Sequence, residues 1–293
     1  MENTERAVAI AAAAILLKRE RRSARALFKA EGRMLARLRG AAGPVVARTT
    51  GTLDHGDRRQ AMATVRRTVP LLQRSVERAI ADGRADTRAL ARRDLAAELP
   101  AAEPSALSGR EEDDAASAHT AAASYASAWG AAAMAAVIAA SDEPVGGQDH
   151  RLRRISATES AAAFNDERRR LYDDIGDAPG TFKVWSAVLD RKTCHFCFGK
   201  DGQTARLHEG LGAMPPVHPF CRCTIELVRV PHPERLDDIA FDYALFKEEM
   251  ADVIRERRAV SDRHAGAFVR ETMGARRSPE VLTEKFRRGA HRR

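Results

Sequence analysis

Aromatic side chains are scarce in this chain. Two Trp, three Tyr and ten Phe make up 5% of 293 residues. A core short of aromatics must be filled by aliphatics, and alanine dominates here. That combination predicts long helices with thin cores, of the kind completed by neighbouring subunits. Cysteine is missing before Cys194 and after Cys223, which excludes a disulfide framework spanning the chain. A secretory leader is not expected either. The apolar run Ala7–Leu17 follows Glu2 and Glu5 and precedes Lys18-Arg19-Glu20-Arg21-Arg22, the reverse of the charge order a leader needs. Such a run is also too short to cross a bilayer. We find no internal repeat and no nucleophile–base–orienter set of the kind hydrolases use.

Charge is plentiful but uneven. The net charge is +8, distributed as +10 over residues 1–100, −7 over 101–150, +3 over 151–200, −4 over 201–250 and +6 over 251–293. Basic ends suit an acidic partner, either nucleic acid or an acidic protein surface, and solvated helix faces are the plainer explanation. Ala121–Ala140 is a longer uncharged run. Its length suits a bilayer, yet alanine drives insertion weakly, and small residues at each turn suit close helix–helix packing. No stable membrane insertion is expected.

Apolar spacing predicts a helix over residues 4–40, ended by Gly40 and Gly43-Pro44. A connector over 45–58 follows, then a second helix over 58–82 kinked or broken at Pro70, and a third over 85–98. The stretch 99–114 carries Pro100, Pro104, Gly109 and Glu111-Glu112-Asp113-Asp114, the composition of an acidic linker. An Ala-rich helix is predicted over 115–141 and another helix over 149–175. The pattern then changes. Thr181–Asp190 and Cys223–Val230 read as two antiparallel strands, followed by helix over 234–272 and a basic tail over 279–293.

The cysteines lie between those strands, in Cys194-His195-Phe196-Cys197 and His218-Pro219-Phe220-Cys221-Arg222-Cys223. Two thiolates of a C-x-x-C knuckle can converge on one ion. His218 and Cys221, three apart, can converge from a turn. Cys221 and Cys223, two apart on an extended strand, point the same way. Cys194, Cys197 and His218, with Cys221 or Cys223, give the four ligands Zn²⁺ takes, and Pro215, Pro216 and Pro219 stiffen the loop. Apolar filling by the thiols and redox use of the C-x-x-C pair are the alternatives. Phe198 stands where a c-type haem site needs His. With more ligand candidates than places, the site reads as closed and structural rather than catalytic.

Residues 155–228 together resemble the phage Mu protein F-like family of head morphogenesis, or minor capsid, proteins. The resemblance is carried by Thr158, Glu159 and Asn165 in a helix, by Trp185 and Asp190 around a strand, and by Thr193-Cys194 and Cys197. Asp201-Gly202, Pro215-Pro216, His218-Pro219 and Cys221-Arg222-Cys223 complete the order. Two departures, Ser156-Ala157 before Thr158-Glu159 and Phe198-Gly199-Lys200 before Asp201-Gly202, touch no proposed ligand.

The resemblance implies a mainly α protein: long Ala-rich helices with a small zinc-stapled antiparallel β-hairpin domain in the C-terminal half. The expected organisation is an N-terminal helical region over 1–98, an acidic linker over 99–114 and the Ala-rich helix over 115–148. The Mu F-like domain follows over 149–232, then a C-terminal helix and basic tail over 233–293. The implied role is a non-enzymatic virion component that helps assemble the head and package or deliver DNA. Its expected partners are the portal protein, a major capsid or scaffolding protein, and double-stranded DNA bound without sequence preference. Its expected place is the head interior or portal vertex, and the host cytoplasm during assembly. Two other readings use the same residues: a zinc-dependent ββ-metal nuclease, with His195 or His208 as base once His218 is a ligand, and a zinc-ribbon DNA-binding regulator.

Overall fold

The computed structural model describes residues 2–53, 57–96, 111–139, 148–175, 180–187, 193–230, 233, 236, 241–254 and 256. Its elements in chain order are α1 (Glu2–Thr50), α2 (Arg58–Ala96), α3 (Glu111–Ala139), α4 (Asp149–Ile175), β1 (Thr181–Ser186), α5 (His195–Lys200), β2 (Thr204–Arg206) and β3 (Thr224–Arg229). A further helical run, α6, covers 243–254. The protein is mostly helical, with one small sheet in its C-terminal half.

The first two helices are longer than their sequences predict. α1 runs through Gly40 and Pro44. Proline costs a helix one hydrogen bond and a clash with the carbonyl four residues back. Here that residue is Gly40, which is exposed with open space around it. Ala42 and Val46 on the opposite side are buried in the core, and that packing carries the helix past the proline. α2 continues through the exposed Pro70 and through Gly83, where the sequence suggests a kink or break at the first and a helix end just before the second. A Cβ at Gly83 would stand 2.2 Å from Met34 Sδ. Gly83 is therefore a close-approach residue between α1 and α2, not a stop. α4 has the predicted bounds. α3 starts four residues earlier than predicted, taking in Glu111–Asp114. Most of the predicted linker, most of the helix over 234–272 and the tail over 279–293 lie outside the described residues.

The chain forms two compact units. One comprises residues 22–175 with 214–222; the other comprises 1–21, 176–213 and 223–293. The first unit is helical. Its core runs through Met34, Leu38, Val65, Leu72, Val76, Ile80, Tyr125, Trp129 and Ala133. α3 is long and apolar enough to cross a membrane, with mean hydropathy 1.4. Its Ala122, Tyr125, Trp129 and Ala133 are instead fully buried in this core. Charges are buried here as well. Arg168 Nη1 donates to Asp94 Oδ2 at 2.7 Å, and Arg22 Nε and Ser23 Oγ each donate to the same carboxylate at 2.8 Å. Arg168 Nε donates to Tyr172 Oη at 2.8 Å.

The second unit holds the sheet, ordered β2-β1-β3 with both pairings antiparallel. The sequence suggests a two-stranded hairpin; a third strand, β2, pairs on the other side of β1. Three residues are too few to show alternation, so β2 leaves no periodic signal. Val184 faces Thr204 on one side and Glu226 on the other. Phe182, Val184 and Val228 share a face and pack with Ala9, Ala13 and Leu16 of α1 and with Phe246, Met250, Val253 and Ile254 of α6. Phe182 meets Phe246 at 4.6 Å and Tyr243 at 5.6 Å between ring centroids.

Candidate metal centre

The six-residue helix α5 begins at the knuckle. Cys194 is its N-cap, in extended backbone conformation, and its Sγ accepts from the Cys197 N–H at 3.4 Å. That contact turns the chain so that two sulfurs can face one point. Asp201, the C-cap, holds the other end, its Oδ1 accepting from the Ala187 N–H at 2.8 Å. Gly202 follows at φ +81°, and a Cβ there would stand 3.1 Å from the Ala251 backbone. Its N–H donates to the Trp185 carbonyl at 2.9 Å. Asp201, Gly202 and Trp185 therefore fix the turn between α5 and β2. Asp190 lies outside the described residues.

The loop over 214–222 carries His218 and Cys221. The Cys221 N–H donates to the His218 carbonyl at 3.1 Å, closing a turn that places the two side chains together. His218 Nδ1 lies 2.8 Å from the Pro219 carbonyl. A carbonyl only accepts, so Nδ1 carries the hydrogen and the lone pair falls on Nε2, the usual arrangement for a metal-ligating imidazole. Phe220 takes a positive φ of 63° and its N–H donates to Thr158 Oγ1 at 3.3 Å. Arg222 stacks over the Phe28 ring at 5.4 Å and pairs with Glu31 at 3.3 Å.

Two overlapping groups of ligand atoms each lie within 4.8 Å of one another: Cys194, Cys197 and His218, and Cys197, Cys221 and Cys223. No disulfide joins the four cysteines. Cys197, Cys221 and Cys223 are buried, with Cys194 and His218 partly so. Ligands arranged tetrahedrally around Zn²⁺ at about 2.0–2.3 Å fit within such a span. The donors, soft sulfur with one imidazole, are those that select Zn²⁺ over harder ions. Cys197 belongs to both groups.

The remaining motif residues serve the helices. Glu159 is 9% exposed; its Oε2 accepts from Arg84 Nη1 at 2.6 Å and Ser117 Oγ at 3.0 Å. Asn165 is buried and donates to the Ala161 carbonyl at 2.8 Å. Thr158 donates to the Arg154 carbonyl at 2.8 Å while holding Phe220 as above. Sequence reasoning does not find Arg84 and Ser117, which lie 75 and 42 residues from Glu159. Nor does it find the Asp94–Arg168 pair.

A family model described as phage Mu protein F like protein matches residues 71–226, just over half of the chain and a span that includes Cys194, Cys197, His218, Cys221 and Cys223. Comparison with curated proteins gives no match, and comparison with solved structures gives none.

Proposed function

The chain belongs to the phage Mu protein F-like family, and from that premise we propose that it is a minor head protein, a structural component of the virion that acts in head morphogenesis. It associates with the portal vertex, lies on the head interior, and assists DNA packaging or delivery without catalysing a reaction. The major capsid or scaffolding protein is a further partner during assembly in the host cytoplasm. The observation that carries this reading is the family match itself, whose span includes the knuckle and the His218–Cys223 loop.

Within that role the cysteine segment is a Zn²⁺ staple. Cys194, Cys197 and His218, with Cys221 or Cys223, hold the ion. Bound Zn²⁺ supplies a crosslink between chain segments and neutralises thiolates that burial would otherwise penalise. The Cys197 N–H fixes the Cys194 sulfur, the Pro219 carbonyl fixes the His218 tautomer, and Thr158 holds the loop between them. In zinc-finger peptides such crosslinks are worth on the order of 10 kcal/mol of folding free energy.

The role is tested by fractionating infected cells. The chain should copurify with portal protein and with DNA-filled heads. Its absence from both procapsids and virions would sink the reading. The staple is tested separately: native mass spectrometry should show about one Zn²⁺ per chain, and a metal-free preparation with an unchanged melting temperature would end it.

A further inference from the structure

Some exposed arginines in the protein have carboxylate partners. Arg39 and Arg153 both pair with Asp149, Arg37 with Asp86, and Arg6 with Glu249. α2 is different. Between Arg58 and Val76 it carries five arginines, at 58, 59, 66, 67 and 74, and no acidic residue, and Arg78 follows one turn on. All six are exposed. Among the described residues none of them has an ion-pair partner; Arg67 makes one hydrogen bond, to Thr64 Oγ1 at 3.4 Å.

These arginines also share a face. Val65, Thr68, Leu72, Val76 and Ala79 are the buried side of α2. At about 100° per residue, Arg59, Arg66, Arg67, Arg74 and Arg78 fall within an arc of roughly 120° centred opposite that side. At about 1.5 Å per residue the row from Arg59 to Arg78 is roughly 28 Å long. A solvated helix face ordinarily mixes signs. This one carries five arginines against one acid, Glu77, whose Oε2 lies 3.2 Å from His119 Nδ1, on a helix whose other side is locked into the core.

We propose that the arginine face of α2 is a docking surface for the phosphate backbone of duplex DNA. The proposal rests on the head-protein reading for the presence of DNA, and it moves the contact away from the basic ends, where composition alone would put it. Duplex DNA presents one negative charge per about 1.7 Å of axis, so a row of this length spans most of a helical turn. Guanidinium forks bind phosphate oxygens bidentately, and all six cations here are arginine. α2 contains no aromatic residue, so it offers no stacking platform for the bases of a single strand. A membrane surface would need the apolar side of the helix, and that side is buried.

The experiment measures anisotropy of a labelled mixed-sequence duplex of about 30 base pairs with the full chain over a salt series. The comparison variant carries Arg66→Gln, Arg67→Gln, Arg74→Gln and Arg78→Gln. Each phosphate contact contributes about 0.9 to the slope of log K against log salt. The variant should lose about 3 from that slope and at least about tenfold in affinity near 0.1 M salt, while its circular dichroism and Tm stay at parent values. The pair Arg66→Gln and Arg67→Gln should lose about half as much slope and serves if the fourfold variant misfolds.

An unchanged slope overturns the proposal, as does loss of binding only when Arg287, Arg288, Arg292 and Arg293 are neutralised instead. A parent protein that fails to bind the duplex at low salt also overturns it, yet leaves the head-protein reading to its own fractionation test. Displacement of the duplex by poly-glutamate as readily as by unlabelled duplex would reassign the face to an acidic protein.

Discussion

The two units bury different chemistry. In the helical unit, 22–175 with 214–222, an alanine-rich core surrounds Tyr125, Trp129 and Phe164, and it holds whole ion pairs: Arg84 with Glu159, and Arg168 with Asp94. In the sheet-bearing unit an aliphatic core surrounds Phe182 and Phe246, and Cys197 and Cys223 are buried in the turn region. Helices filled with alanine come close together, as Gly83 does to Met34 and Gly130 to Val69, but they leave few shapes that specify one register. Hydrogen-bonded charges do specify it, because a slipped helix would strand them. The small sheet faces the opposite problem. Three short strands bury too little surface to be stable alone, and larger rings and a metal crosslink are the available remedies.

Removing metal is the sharpest way to separate the two strategies. A strong chelator, or Cys197→Ser in the residue common to both ligand groups, should abolish Zn²⁺ binding and melt the sheet-bearing unit. Helical dichroism from the other unit should largely remain. One cooperative transition, lost together with all helix signal, would break the comparison.

Asp94→Ala attacks the other side. It strands the buried Arg168 and should cost about 3–5 kcal/mol, read by chemical denaturation, while Zn²⁺ stoichiometry stays at the parent value. A cost under about 1 kcal/mol would mean that the buried pair does not hold the helices in register. Gly202→Ala returns to the sheet-bearing unit. It forces a Cβ into left-handed backbone and against Ala251, and should cost about 1–3 kcal/mol.

The smallest effect is electrostatic. The Arg39 and Arg153 guanidiniums hold the Asp149 carboxyl well below the usual carboxylate range. A depressed folded value means stability that is present above the unfolded pKa of about 3.9 and is lost as pH falls through the folded one. The carboxylate is 44% exposed, so screening keeps the gain small. Asp149→Asn should lower Tm by about 2 °C or less at neutral pH, the gap closing below about pH 4 and with added salt. A gap that widens in acid would contradict the assignment.

Much of this was legible in the sequence, and the gaps have physical causes. The bounds of α4 are read correctly because Gly146-Gly147 and Asp149 punctuate its start. Pro44 and Pro70 misled because a proline breaks a helix only where the lost bond is not outweighed by packing, and both rings sit on exposed faces. The five Cys and His candidates stand out by spacing, since converging ligands must recur at turn intervals. Glu159 stands out as a motif residue, but Arg84 and Ser117 lie in other helices, and no local pattern announces a partner 75 residues away.

The first helix carries one further consequence. Ala9, Ala12, Ala13 and Leu16 lie in one core with Phe246, Met250, Val253 and Ile254. A ribosome makes them in the opposite order to the one that core needs. At about 5–20 residues per second, the opening segment waits roughly ten to fifty seconds before the last of its partners is synthesised. Through that interval its apolar stripe is bare, and a nascent-chain chaperone is its natural cover. Truncations that stop before residue 241 should therefore be held by such chaperones rather than released.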